Sequence, residues 1–408
     1  MSALKRAIIV IGCTIAASSL ACDARITDPG PVDDSALDLE LSQPALVNGM
    51  AKAFSKALGY VAYTGAAISR EVVASGSSSL FGITIKQRAG LLDPGTGETN
   101  DHWLFAQQAR WVAEDGVRRM RVTSGDKFKT SALAAEALLY VGYSNRLLGE
   151  NMCDAIIDAG PKEPRRVYFE RAEAAFGEAA TVAAAAGNQT LERAARAGRA
   201  SVRVWLGDWT GAAADAGTVP TSFVYQARFG ATDLDQYNRI FWANSNQPYR
   251  AHSVVGTFYD AYYRNTNDAR VAWQINPAIP TGTVGSVLWY FQVKYDKRES
   301  PITLSSGKET RLIVAESMLR GGDWQGALAL INQGRAELGV AAWTAAGATD
   351  AWVALKRERG IQLWLEGRRL GDLDRWLAAN IPGAVEDMTG RNTCFPIGQT
   401  ELDSNPNL

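Results

Sequence analysis

The sequence predicts an all-α protein: helix pairs stacked into a curved scaffold, interrupted by one irregular, aromatic-rich insertion. Three observations predict it. Ala-rich segments repeat apolar residues at helical spacing, and Ala carries the lowest helix cost of any residue. A Gly-Asp-Trp turn occurs twice, as Leu206-Gly207-Asp208-Trp209-Thr210-Gly211-Ala212 and as Gly321-Gly322-Asp323-Trp324-Gln325-Gly326-Ala327. Between the two copies, residues 220–300 lose the helical pattern and gather much of the aromatic content.

Taken in order, residues 45–74 place Val47, Met50, Phe54, Leu58 and Val61 near one helix face. Residues 76–97 are irregular, with a short strand at 80–85. Helical patterning returns at 102–120 and 129–148, and Gly149 stands where a helix stops. Residues 165–187 and 191–206 form a helix pair broken at Gly187-Asn188. In each Gly-Asp-Trp copy, Gly ends one helix, Asp caps the next, and the small residues admit close packing. This is the local logic of tetratricopeptide-like helix pairs. Within 220–300, short helices are expected near 233–242 and 253–264, and a strand pair near 269–276 and 286–295.

The N-terminus addresses the chain to the cell envelope. Lys5 and Arg6 precede an apolar stretch, Ala7 to Leu20, too short to span a bilayer. It ends in Ser19-Leu20-Ala21-Cys22, which resembles a bacterial lipobox with Cys22 as the lipidated residue. Cys13 is the lesser candidate, and a plain cleaved signal is the alternative. Residues 1–21 then read as signal peptide, 22–44 as a flexible tether and 45–408 as the folded body. With Cys13 removed and Cys22 lipidated, Cys153 and Cys394 remain, and an oxidising compartment favours their pairing over two separate buried thiols. Charge is nearly balanced, 42 Lys and Arg against 43 Asp and Glu, so nothing favours nucleic acid as partner.

The C-terminal third adds ordered motifs. They are Ala315-Glu316, Gly322-Asp323, Ile331-Asn332 and Arg335, then Glu358-Arg359, Glu366-Gly367, Arg369, Asp372-Leu373 and Arg375-Trp376, and finally Phe395-Pro396-Ile397 and Asn405-Pro406. In this order they resemble the SusD/RagB family of outer-membrane nutrient-binding lipoproteins. Gln362 and Gly398 depart from the family pattern. The resemblance implies a non-catalytic protein, lipid-anchored in the outer membrane at the cell surface. It would capture a glycan, or a peptide, for a TonB-dependent SusC-like transporter barrel. Glu366, Arg369 and Asp372, three apart on one expected helix, read as an ion-pair clamp between helices.

Ligand capture is expected in the insertion, where aromatic faces stack on sugar rings and nearby polar groups set orientation. The candidates are Trp242, Tyr249, Trp273 and Trp289, with Asn244, Asn246 and Arg250. No zinc motif, nucleophile elbow or phosphate loop occurs, and His102 and His252 stand in unrelated contexts, so no catalytic residue, metal or cofactor is assigned. Two other readings stand behind this one: a tetratricopeptide-like envelope adaptor without a small ligand, and a glycoside hydrolase, which needs only two placed carboxylates.

Overall fold

The structure is a computed structural model that describes residues 34–76, 85–95, 97–245, 249–283 and 285–408. The signal segment, Cys22, the start of the tether, most of the expected strand at 80–85, and Asn246 lie outside the described residues. The fold is all-α, and among the described residues the strands form two-stranded pairs: β1 (Val73–Ala74) with β5 (His252–Ser253), β2 (Asp154–Ala155) with β3 (Glu163–Pro164), β4 (Val224–Ala227) with β8 (Ile302–Ser306), and β6 (Trp273–Ile275) with β7 (Tyr290–Gln292). Five long helices come first: α1 (Gln43–Ile68), α2 (Gly97–Ser124), α3 (Ala132–Asn151), α4 (Arg166–Ala185) and α5 (Gln189–Leu206). Each packs on the next. Close approach is built into the sequence: Phe176 of α4 sits against Gly142 of α3 and Gly198 of α5, where a Cβ would lie 2.6 and 2.5 Å from its ring.

The tether is shorter than expected. Asp34–Asp38 and Glu40–Ser42 form 3-10 turns, and Asp34 and Asp38 both bind the Arg119 guanidinium, at 2.7 and 2.9 Å. Charge pairing and local turn geometry hold this acidic stretch on α2.

The two Gly-Asp-Trp turns are equivalent. Gly207 and Gly322 adopt φ of +81° and +88°, a region that disfavours a side chain. Asp208 and Asp323 follow with near-identical backbone angles, and each carboxylate caps its helix by accepting from the N–H of Gly211 or Gly326. The helices so started are α6 (Trp209–Ala216) and, after α8 (Gly307–Arg320), α9 (Trp324–Ala336). Trp209 packs beside Ala212 and Ile313, and Trp324 beside Leu319 and Ile331, so both serve helix packing.

The C-terminal motifs form a clamp, but not on one helix. Leu365 (φ +60°) and Gly367 (φ +74°) break the chain between α10 (Ala348–Gln362) and α11 (Arg369–Ala378). Glu366 therefore binds Lys294 at 2.7 Å, and Arg369 donates to the Lys356 carbonyl, so the expected spacing pairs do not form. The clamp is instead a buried alternating chain. Glu316 binds Arg375 through both oxygens, at 2.5 and 2.8 Å, and Arg375 binds Asp372. Asp372 binds Arg359 at 2.7 Å, and Arg359 lies 3.7 Å from Glu309. Glu309 binds Arg368 at 2.9 Å, and Arg368 binds Glu150 of α3 at 2.8 Å. Burial opposes ionisation of Asp372, yet Arg359, Arg375 and Arg368 outweigh it and hold its carboxyl down at about 2.

Glu71 behaves in the opposite way. Burial pushes its carboxyl up to about 7, against the Leu365 N–H that it accepts at 2.8 Å and the charges of Arg369 and Lys294. The folded state thus keeps this proton to higher pH than the unfolded chain. Its stabilisation is complete below the unfolded value near 4.5 and declines as pH rises toward and past 7. Glu71→Gln, which keeps the shape without the charge, is expected to flatten the loss of stability between about pH 5 and 8, by up to roughly 3 kcal/mol. Urea denaturation at the two pH values measures it. An unchanged slope in the variant contradicts the assignment.

Candidate functional site: the aromatic insertion

The insertion follows the expected plan with shorter elements. Strand β4 (Val224–Ala227) pairs with β8 (Ile302–Ser306) and ties the insertion to the helical body. A 3-10 turn at Leu234–Gln236 and a π-turn at Phe241–Ser245 replace the helix expected at 233–242. Helix α7 (Phe258–Thr266) starts at a Thr257 cap, and the expected strand pair is β6 (Trp273–Ile275) with β7 (Tyr290–Gln292). The 3-10 turn Ala269–Val271 is anchored from below: Arg270 binds Asp268 and Glu358, and Glu358 also takes Arg335 at 2.5 Å.

Two groups of half-buried rings result. In the first, Trp242 meets Tyr237 at 4.9 Å and Tyr249 at 5.2 Å, and exposed Arg298 lies 5.0 Å over the indole. In the second, Trp273 stacks on Tyr290 at 4.6 Å and 5°, with Arg264 at 4.6 Å from the indole centre. Trp273 and Tyr290 are diagonal neighbours across the β6–β7 pair, within reach for large rings.

The remaining candidates divide. Trp289 is only 1% exposed; its ring N–H donates to the Asn244 carbonyl at 2.8 Å. Asn244 is equally buried, and its side chain accepts from the Gln292 N–H. Both are corrected to structural residues, because a ring and an amide enclosed by their own loop present nothing to a ligand. Arg250 donates to the Thr281 carbonyl, and its backbone accepts from Ser75, so it mainly fastens the loop. Trp242, Tyr249 and Trp273 remain as surface-reaching rings. Tyr237 and Arg298 complete the first group; Tyr237 belonged to the aromatic-rich stretch, whereas Arg298 carried no local signal.

Beside the first group, strand β5 (His252–Ser253) pairs with β1 (Val73–Ala74). His252 there lines a cavity of about 220 Å³ with Arg70, Arg88 and Arg391. Arg391 spends its donors on the carbonyls ending α1. Burial, with the Arg88 charge adding to it, pushes His252 down to about 3. His102, bonded to Thr64, is likewise pushed down to about 3 by burial. Both imidazoles are enclosed, and burial disfavours their charged form.

Comparison with known proteins bears on most of the chain. No family model and no curated protein matches the sequence. Solved structures do. A SusD-like carbohydrate binding protein from Bacteroides vulgatus superposes with a TM-score of 0.66 at 15% identity, over 90% of this chain and 97% of that one. The chain has a SusD-like fold. A SusD superfamily protein from Bacteroides thetaiotaomicron gives 0.66 at 14% identity, covering 90% of this chain and 98% of its own. A laminarin binding SusD-like protein gives 0.63 at 17%, covering 91% and 100%. The SusD-like architecture accounts for the helical scaffold. At such identities it leaves the ligand to be argued from the rings themselves. Among the described residues, no helix is long and apolar enough to cross a membrane.

Proposed function

We propose that this SusD-like protein is a non-catalytic, envelope-anchored binding protein that captures a glycan. The observation that carries the reading is the ring group Trp242, Tyr249 and Tyr237 under Arg298: half-buried aromatic faces held by a loop scaffold, with a polar cation beside them. Such faces suit the apolar side of a sugar ring, and the surrounding donors suit its hydroxyls. Carbohydrate binding in the names of structural neighbours supports the same class. Anchoring through lipid on Cys22, surface exposure, and delivery to a TonB-dependent SusC-like transporter barrel follow from the N-terminal pattern and the family resemblance. A peptide, whose apolar side chains stack on the same rings, is the second ligand class.

Affinity electrophoresis against a panel of polysaccharides, with calorimetry against oligosaccharides and peptides, tests this. A retarding polysaccharide is expected. Trp242→Ala is expected to weaken binding about tenfold to a hundredfold, in the range of a lost aromatic stack with its hydrogen-bonding neighbours. Full affinity in folded Trp242→Ala and Trp273→Ala variants would remove the platform from the site. Cys22→Ala is expected to release the protein from membranes, read by fractionation.

A further inference from the structure

A second cleft lies where the helical scaffold meets the base of the insertion. Its volume is about 1020 Å³, and it is lined by Asn48 of α1, Glu136 and Tyr140 of α3, and Tyr225, Gln226 and Arg228 from β4 and its end. Residues from these three elements converge on it without forming a closed polar network of their own. Among the described residues, Glu136, Gln226 and Arg228 make no side-chain hydrogen bond or close ion pair, and Glu136 and Arg228 act on each other only through their charges. Glu136 is half-buried, and burial raises its carboxyl, with the Arg228 charge opposing. A carboxyl partly withdrawn from water without a bonded partner leaves acceptor capacity facing the cleft.

The aromatic wall is rigid. Tyr225 stacks on buried Tyr143 at 5.9 Å and 13°, and Tyr140 lines the cleft with it. Val224, beside it, is 51% exposed. Of the charged groups of the wall, Glu136 is opposed by the Arg228 charge and Glu299 pairs with Lys297 at 3.7 Å, so the charges are largely matched. Amides supply paired donors and acceptors, and phenol rings supply an apolar face. That set discriminates against a strongly charged ligand and matches a molecule with many hydroxyls and flat C–H faces.

We propose that this cleft is a second binding site, for a neutral oligosaccharide segment of about two or three rings, the length its volume accommodates. Its lining shares no residue with the insertion's two ring groups. A chain binding at both places holds one polymer by two contacts, which strengthens capture when the spacing allows simultaneous engagement.

The test is calorimetry of the purified full chain with maltohexaose, cellohexaose and laminarihexaose at millimolar concentration. Gln226→Ala/Arg228→Ala removes side-chain donors that face the cleft from exposed positions, and Val224→Trp fills the cleft; unchanged thermal transitions establish that both fold. Wild type is expected to bind two equivalents of at least one hexasaccharide. Either cleft variant is expected to lose one equivalent or bind it at least about tenfold more weakly. Trp242→Ala is expected to keep the cleft equivalent. Loss of binding in the cleft variants with none in Trp242→Ala supports the cleft and counts against the platform alone. Binding unaffected by either cleft variant, or no binding of any of the three sugars, overturns the proposal.

Discussion

Glu316→Ala is expected to destabilise the protein by about 3–5 kcal/mol, the usual cost of removing one partner from a buried ion pair. Glu316 is fully buried, and it takes both nitrogens of Arg375 and the ring N–H of Trp376. Its removal leaves the buried Arg375 guanidinium with only Asp372 as a carboxylate partner, and Asp372 is already shared with Arg359. Desolvation of the orphaned charge, more than the lost attraction, sets the size of the effect. An exposed control separates the two regimes. Arg166 and Glu170 pair at 2.8 Å with both side chains more than half exposed (58% and 55%). Arg166→Ala should therefore cost less than about 1 kcal/mol. Urea denaturation of both variants measures the contrast, and equal costs would mean that the buried chain of charges is not the clamp described.

Removing the disulfide has a comparable effect. Cys153 and Cys394 are joined with Cα atoms 5.1 Å apart and a sequence separation of 241. Closing so long a loop restricts the unfolded chain by roughly 5 kcal/mol on the chain-entropy model. The segment is also held by backbone bonds, Cys153 N–H to the Phe395 carbonyl at 2.9 Å and Phe395 N–H to the Asn151 carbonyl at 2.7 Å. Local structure should therefore survive while global stability falls. Cys153→Ser/Cys394→Ser is expected to lose about 3–5 kcal/mol. Reductant should shift wild type by a similar amount and leave the double variant unmoved. A double variant with the wild-type urea midpoint would contradict this.

The scaffold was legible because its signals are local. Helix periodicity, the paired Gly-Asp-Trp turns and their caps act within a few residues, and the backbone angles at Asp208 and Asp323 agree almost to the degree. Features decided by distant partners were not legible. Glu366 and Arg369 look like a helical pair, but positive φ at Leu365 and Gly367 ends the helix between α10 and α11, and Lys294 takes Glu366 from another part of the chain. Glu366-Gly367 was the one local hint. Within the insertion, Trp242 and Trp289 are the same residue type in similar company. Only the fold decides that one reaches the surface and the other donates to Asn244 in the interior. Arg298 reached the ring group through tertiary contact alone.

The central claim is that rings of the insertion hold a sugar, and the position of a bound ligand tests it most directly. A crystal structure of the protein with the oligosaccharide selected by the binding panel is predicted to show a sugar ring stacked within about 4 Å of Trp242, Tyr249 or Trp273. Well-ordered ligand elsewhere, with these three rings left to solvent, would contradict it.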